Sequence, residues 1–288
     1  MRTRALLPVL ALTLAAPLSA CGSDAGDDDR PTVVTSFYPL EYVTRQLAGD
    51  HLRVVNLTAP GVEPHDLELK VSQVADVADA DLVVYESELQ PAVDDAVAQN
   101  AGDSGLDVAP SVDLDNDPHF WLDPSRLALA AAAIEERLAE VDPDHADDFG
   151  ANLDDLTASL GTLDEEYRTG LADCERDLVV TSHDAFGYQA KYGLRFAPIA
   201  GLSPDAEPSA GHLDELRSLI REEQITTVFS ETLASPKMAN TLSEDLGLEA
   251  AVLDPIEGVD EGSSSDYLSI MRANLAALQQ ANGCKVSP

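Results

Sequence analysis

The stretch "PDHADDFGANLDDLTASLGTLDEEYRTGLADC", Pro143–Cys174, has the pattern of one long amphipathic helix. Apolar residues recur in it at spacings of three and four, which place them on one helix face. They are Phe149, Leu153, Leu156, Leu160, Leu163, Tyr167 and Leu171. At a rise of 1.5 Å per residue, about 27 residues give a helix about 40 Å long. A helix of this length crosses a whole domain, so we predict that it rigidly connects the segments on either side.

Both flanking segments alternate strand-like and helix-like patterns. "TVVTSF", "RVVNLT" and "DLVVYES" before the helix, and "DLVVTS", "TTVFSE" and "EAAVLD" after it, are short apolar runs typical of buried strands. The alternation predicts an α/β fold in which mostly parallel sheets are flanked by helices. We therefore predict an N-terminal lobe over residues 32–142, a long rigid backbone helix over residues 143–172, and a C-terminal lobe over residues 173–288.

The first twenty residues have the features of an export signal. They contain two arginines, an apolar stretch and then small residues, and they are too short for a stable membrane span. "LSAC" at the end resembles a bacterial lipobox, in which Cys21 is acylated; the alternative is an ordinary signal peptide with a chance cysteine. Residues 21–31 are polar, as in a flexible tether. We expect the protein to lie outside the cytoplasmic membrane, anchored to its outer face by lipid.

Charge and cysteine content narrow the range of partners and folds. The formal net charge of −36 argues against a nucleic-acid partner, because phosphate contacts need clusters of Lys and Arg. General acidity of an exported or salt-adapted proteome explains this charge as well as a preference for cations does. With Cys21 lipidated, Cys174 and Cys284 remain, and the oxidising exported setting predicts a disulfide between them. Two free thiols are the alternative.

Three of the six histidines lie in loops that could carry binding groups: two of them follow predicted strands, and one precedes the predicted helix that begins at Pro124. They are His65, His119 and His183, and two acids have a similar position: Glu231 after "TTVFS" and Asp254 after "EAAVL". Ligands of open α/β sheets collect at the carboxyl ends of the strands. Each residue taken singly could be a strand-end cap or a turn residue. As a set, three imidazoles and a carboxylate form a suitable ligand group for Zn²⁺.

Five segments then resemble the successive signature segments of a known family. "PHDLELKVSQ", "DPHFWLDP", "TSHDAFGYQAKYGL", "FSETLASPKMANTLSEDLG" and "LDPIEG" are similar to those of the zinc- and manganese-binding lipoproteins of ABC uptake systems, the ZnuA/TroA group. The resemblance runs in order from Thr32 to Cys284. It implies two lobes joined by a rigid helix, with one metal ion in the cleft between them. The implied ligands are His65 and His119 from the first lobe and His183 and Asp254 from the second.

Within this resemblance, His183 separates the two metals. Manganese-preferring members carry a glutamate in its place, whereas three histidines and one carboxylate match the zinc-type set. Imidazole suits Zn²⁺ in tetrahedral geometry, while Mn²⁺ favours more oxygen ligands. We therefore expect one Zn²⁺ per chain, bound as the transported ligand.

The remaining acids near the histidines are candidates for supporting roles. Glu231 is expected to orient a ligating histidine or to lock the lobes together. Asp184 and Asp66, each beside a histidine, either do the same or cap helices. The loop "AGDSGLDVAPSVDLDND" departs from many zinc-specific members because it has no histidine. We interpret its last aspartates as a solvated turn: Asp113, Asp115 and Asp117.

The predicted function is the capture and delivery of zinc, without catalysis. The expected partners are a membrane permease and its cytoplasmic ATPase, with a metallochaperone left open, and the protein is expected to be a monomer. The alternatives are a manganese-binding counterpart, a surface adhesin of the same fold, and a zinc hydrolase with Glu231 as general base. No HExxH, Walker loop, GxGxxG or GxSxG is present, so the common catalytic signatures give the hydrolase no support.

Overall fold

The computed structural model describes residues 30–114 and 116–285. The predicted export signal, the predicted lipidation at Cys21 and almost all of the tether over residues 21–31 lie outside the described residues, as does Asp115. In the two described ranges, no helix combines the length and the apolar character that a bilayer crossing requires.

Among the described residues, the N-terminal lobe contains four strands and four α-helices in strict alternation. They are β1 (Thr32–Thr35), α1 (Tyr38–Ala48), β2 (Arg53–Asn56), α2 (Val71–Asp79), β3 (Leu82–Tyr85), α3 (Pro91–Asn100), β4 (Gly105–Asp107) and α4 (Pro124–Val141). The sheet order is β2-β1-β3-β4, and every pair is parallel. Val33 and Val34 point to opposite faces of β1, and both are fully buried. A run of apolar residues suits such a strand because helices cover both faces of the sheet.

The C-terminal lobe repeats this arrangement. Its elements are β5 (Leu178–Thr181), β6 (Arg195–Pro198), α6 (Ala210–Glu222), β7 (Thr227–Ser230), α7 (Lys237–Leu246), β8 (Glu249–Val252) and α8 (Tyr267–Asn282). The order β6-β5-β7-β8 is again wholly parallel. In each lobe the first connection runs in the opposite direction to the later ones, which places a switch point between β1 and β3 and between β5 and β7. Ligands of open α/β sheets bind at such switch points.

A single long helix, α5 (Ala146–Gly170), links the lobes after a short 3₁₀ turn over Pro143–His145. Its 25 residues give a length of about 37 Å. Most of the predicted apolar stripe is buried, and Leu153 is half-buried. The helix packs on α1 and α4 of the first lobe and on α8 of the second. One hydrophobic core therefore runs through both lobes, and the predicted two-lobe α/β fold is confirmed.

The predicted disulfide is present between Cys174 and Cys284. It joins the segment after α5 to the segment after α8, across a sequence separation of 110 residues. The backbone N–H of Lys285 also donates to the carbonyl of Asp173, 2.9 Å away. On the chain-entropy model a loop of this size stabilises the fold by at most about 4 to 5 kcal/mol. The cross-link fixes the end of α8 to the start of the second lobe.

Candidate metal centre

The three predicted histidines converge with a glutamate at the junction of the lobes. The ligand atoms of His65, His119, His183 and Glu257 all lie within 4.8 Å of one another. His65 follows β2 and His119 precedes a 3₁₀ turn over Phe120–Leu122, so these two come from the first lobe. His183 follows β5 and Glu257 follows β8, so these two come from the second.

Five of the six separations within this group lie between 3.2 and 3.5 Å, and the sixth, between His65 and His183, is within 4.8 Å. Oε1 of Glu257 lies 3.2 Å from Nε2 of His65, 3.5 Å from Nε2 of His119 and 3.2 Å from Nε2 of His183. The Nε2 atom of His119 is 3.3 Å from that of His65 and 3.2 Å from that of His183. Tetrahedral ligands about 2.0 to 2.1 Å from a zinc ion lie about 3.3 to 3.4 Å apart. Five of the six separations therefore match those of a tetrahedral zinc site.

Burial separates this group from a chance surface cluster. His119 and His183 are fully buried, and Glu257 is 1% exposed. The side chain of His65 is 10% exposed, so it is the member of the group nearest to solvent. A buried carboxylate and buried imidazoles are costly to desolvate unless they pair with each other or bind a metal.

Glu231 holds His183 in place. Its Oε1 atom accepts a hydrogen bond from Nδ1 of His183 at 2.6 Å and a second from the backbone N–H of the same residue at 3.1 Å. Both residues sit at the carboxyl ends of neighbouring strands, β5 and β7. Because the carboxylate only accepts, it fixes the proton on Nδ1 and leaves Nε2 to face the centre of the group.

Asp117 does the same for His119. Its Oδ1 atom accepts from Nδ1 of His119 at 2.7 Å and from its backbone N–H at 3.0 Å. Gly187 of the second lobe lies so close that a Cβ there would be 2.7 Å from Oδ2 of Asp117. Interpreting Asp117 as part of a solvated turn was therefore wrong, since its side chain orients a histidine of the site.

Hydrogen bonds within the group and to its neighbours favour the charged forms of His119, His183 and Glu257. Burial alone lowers the pKa of His183, but hydrogen bonds to Glu231 and Glu257 raise it to about 10. Burial also lowers the pKa of His119, and bonds to Asp117 and Glu257 reverse this, so its pKa lies above the ordinary value. Burial raises the pKa of Glu257, yet its bonds with the histidines hold it well below the ordinary range. Near neutral pH, Glu257 is ionised and His183 carries a proton.

The family resemblance implied Asp254 as the fourth member, but the carboxylate that lies with the three histidines is that of Glu257. The Oδ1 atom of Asp254 accepts from the backbone N–H of Ile256 at 2.7 Å. Its backbone is held by Asn274 of α8, which accepts from the Asp254 N–H and donates to its carbonyl. These bonds direct Asp254 into a turn, and the turn brings Glu257 to the histidines.

The other acids predicted beside the histidines lie outside the group. The backbone N–H of Asp184 donates to the carbonyl of Gly201, and the bond to the His183 ring comes from Glu231 instead. Asp66 is exposed, and its N–H donates to Glu63 at 3.4 Å. Glu63 also accepts from the backbone N–H of His65 and so shapes the turn that carries this histidine.

Removing the charge of Glu231 is expected to weaken zinc binding. Glu231→Gln should raise the zinc Kd about tenfold, because partners that orient a ligating histidine typically contribute 10- to 100-fold to affinity. Asp184→Asn is the matched control and should leave Kd within about twofold. Competition with a chromogenic chelator measures both values. A larger effect at Asp184 than at Glu231 would reverse the assignment.

Comparison with models of protein families identifies the family of this chain. A family model described as "Zinc-uptake complex component A periplasmic" matches residues 33–281. The chain belongs to this family. The match spans both lobes and includes all four residues of the group, so the resemblance inferred from the motifs is confirmed.

Individual relatives of the family agree over nearly the whole chain. The high-affinity zinc uptake system protein ZnuA of Bacillus subtilis (strain 168) is 34% identical over 291 residues, which cover 91% of this chain and 91% of that protein. The zinc-binding lipoprotein AdcA of Streptococcus pneumoniae (strain ATCC BAA-255 / R6) is 34% identical over 299 residues. That match covers 94% of this chain but 60% of the longer AdcA.

Solved structures of the family share the fold. The Zn(II)-bound ZnuA-like domain of AdcA from S. pneumoniae superimposes with a TM-score of 0.76 at 35% identity, covering 88% of this chain and 99% of that domain. The laminin binding protein Lmb of Streptococcus agalactiae, described as bifunctional with adhesin and metal transporting activity, gives a TM-score of 0.81 at 32% identity. It covers 87% of this chain and 99% of that protein. Members of the family are transport components rather than enzymes, as predicted.

Proposed function

We propose that this protein captures Zn²⁺ outside the cytoplasm and delivers it to the permease of an ABC uptake system. The observation that carries the proposal is the convergence of three imidazole nitrogens and one carboxylate oxygen within 4.8 Å of one another, with five of the six separations between 3.2 and 3.5 Å. His65, His119, His183 and Glu257 would each supply one bond. Glu257 replaces Asp254 in the ligand set implied by the family resemblance.

Zinc fits this ligand set better than manganese does. Three imidazoles and one carboxylate give tetrahedral coordination with mainly nitrogen ligands, which suits Zn²⁺, whereas Mn²⁺ prefers oxygen ligands and higher coordination. The four bonds leave no open position for an attacking water, which catalytic zinc requires. The site is therefore built to hold the ion, and the hydrolase alternative has no support in it.

Drawing ligands from both lobes couples the metal to the arrangement of the lobes. His119 is fixed to the first lobe and His183 to the second, so an ion between them stabilises one relative placement. The permease can then distinguish the loaded from the empty protein by its surface. Because α5 and a shared core join the lobes, we infer small tilts and loop ordering rather than wide hinge closure.

The same proposal covers the oligomeric state, the partners and the location of the protein. The protein acts as a monomer with one zinc per chain, alongside a permease and a cytoplasmic ATPase. Its position is extracytoplasmic, and acylation of Cys21 anchors it to the outer face of the membrane.

One observation favours a second role. The similarity to Lmb, described as having both adhesin and metal transporting activity, makes attachment to laminin the candidate. Surface plasmon resonance of the zinc-loaded protein on immobilised laminin tests it, with a laminin-free surface as reference. Saturable binding would support a role in attachment to laminin. Absence of binding would rule out that role and leave the proposal of zinc transport unchanged.

The metal content of the isolated protein tests the main proposal. Native mass spectrometry with elemental analysis of protein purified without chelators is expected to find one zinc per chain. The loaded and metal-free forms should differ in mass by one zinc ion less the protons displaced. Stoichiometric manganese would overturn the choice of metal, and the absence of any bound divalent metal after zinc addition would overturn the proposal.

A further inference from the structure

Trp121 connects the two lobes immediately beside the metal group. It is the single tryptophan of the sequence and is fully buried. Its indole Nε1–H donates to the carbonyl of Pro255 in the second lobe at 2.7 Å. The hydroxyl of Tyr267, the first residue of α8, donates to the carbonyl of Trp121 at 2.6 Å. The loop that holds Trp121 is thus bonded to the second lobe in both directions.

The donor and the acceptor of this hydrogen bond, Trp121 and Pro255, each lie two residues from a member of the metal group. Trp121 follows His119, and the rings of these two residues have centroids 5.2 Å apart. Pro255 precedes Glu257 by the same interval, and between them Ile256 has a φ of 58°. A left-handed conformation at a β-branched residue is strained, so the surrounding contacts must hold it. The Trp121 bond to the preceding carbonyl is one such contact.

The hydrogen bond between Trp121 and Pro255 cannot be replaced by bonds to water, because both residues are buried. A buried carbonyl that loses its donor keeps the full cost of desolvation. Moving Glu257 away from its position shifts the Pro255 carbonyl and breaks the bond to Trp121. Moving the loop of His119 breaks it from the other side. Each of the two segments therefore resists displacement of the other.

We propose that Trp121 is a positioning residue that couples the placement of His119 in the first lobe to that of Glu257 in the second. This inference rests on the proposed function, since it assigns to Trp121 the mutual alignment of two zinc ligands. The alternative role is simple packing: the Trp121 ring also meets that of Phe37 edge-on at 4.8 Å between centroids. Packing alone would stabilise the metal-free and the zinc-loaded forms equally and leave the zinc Kd unchanged.

Trp121→Phe separates these roles, because it keeps an aromatic ring and removes the indole N–H. We expect the zinc Kd to rise about tenfold, chiefly through faster zinc dissociation measured by stopped-flow transfer to a chelator. Tyr167→Phe is the matched control. It removes another buried hydrogen bond, from the Tyr167 hydroxyl to the carbonyl of Met271 at 2.7 Å, and should leave Kd within about twofold.

A double-mutant cycle tests whether Trp121 acts through Glu257. In a Glu257→Gln background, Trp121→Phe should change the zinc Kd much less than in the wild type. Equal effects in both backgrounds, or an unchanged Kd for Trp121→Phe alone, overturn the inference. If the wild-type protein binds no zinc, the proposed function fails instead, so the two failures are distinct.

The wild-type protein offers an independent measurement that does not depend on a folded variant. Because Trp121 is the only tryptophan, its fluorescence emission reports directly on this position. Zinc addition is expected to change the emission stoichiometrically, with the end point at one zinc per chain. Zinc binding that leaves the emission unchanged would show that Trp121 does not respond to the occupied site, and would overturn the inference.

Discussion

Glu257→Gln is expected to lower zinc affinity by about two to three orders of magnitude. The Glu257 carboxylate supplies the one negative charge among the four proposed ligands and is 1% exposed. Removing one partner of a buried charge pair typically costs about 3 to 5 kcal/mol, because the remaining charge stays buried without compensation. In the metal-free protein the same change removes contacts to all three histidines. Isothermal titration calorimetry with a competing chelator measures the change in Kd.

Asp254→Asn is the matched control for this prediction. Asparagine keeps an oxygen that can accept from the backbone N–H of Ile256, so the turn persists while the charge is lost. We expect its zinc Kd to stay within about threefold of the wild-type value. If Asp254→Asn weakens binding more than Glu257→Gln does, Asp254 is the ligand and the proposed set is wrong.

The sequence predicts the parts of the site that depend on regular structure. His183 follows a buried apolar strand directly, and parallel strands bring their carboxyl ends to one edge of the sheet. Glu231 follows the neighbouring strand β7 and meets His183 for that reason. The long helix is predicted by its apolar stripe alone, because spacings of three and four define one helix face.

The choice between Asp254 and Glu257 depends on a turn that sequence patterns do not predict. Asp254 lies nearer to the end of β8, but Ile256 adopts a left-handed backbone, and this brings Glu257 to the histidines. Ile is disfavoured in that conformation, so nothing in "LDPIEG" indicates it. The role of Asp117 was missed for a similar reason. Its loop is polar like any exposed turn, and only the fold brings Gly187 of the other lobe against its carboxylate.

Zinc affinity is expected to rise about a hundredfold between pH 6 and pH 8. In the metal-free site the pKa of His183 is raised to about 10 by Glu231 and Glu257, against the opposing effect of burial, so its ring is protonated throughout this range. Zinc needs the neutral ring, with Nε2 free and Nδ1–H bonded to Glu231. Each zinc ion therefore displaces at least one proton, and affinity rises about tenfold per pH unit for each proton displaced.

Calorimetry in buffers of different ionisation enthalpy counts these protons directly. At least one proton per zinc is expected at pH 7.5 in the wild-type protein. In Glu231→Gln the strongest bond to His183 is no longer to a charge, so its pKa falls toward the ordinary value and fewer protons should be released. A zinc affinity that is independent of pH between 6 and 8 would contradict the assignment of His183 as a ligand.

Protonation of His183 and of Glu257 also affects the stability of the metal-free protein, and the contributions of these two residues depend on pH in opposite directions. The pKa of His183 is raised, so its contribution is complete below its ordinary value of 6.5 and is lost as pH rises toward about 10. The pKa of Glu257 is lowered, so its contribution is present above its ordinary value of 4.5 and is lost on acidification. In the zinc-loaded protein the metal ion replaces the His183 proton as the charge that neutralises Glu257. The rise in Tm produced by a fixed excess of zinc should therefore grow from pH 6 to pH 8, and a shift that shrinks over this range would contradict the exchange of proton for metal.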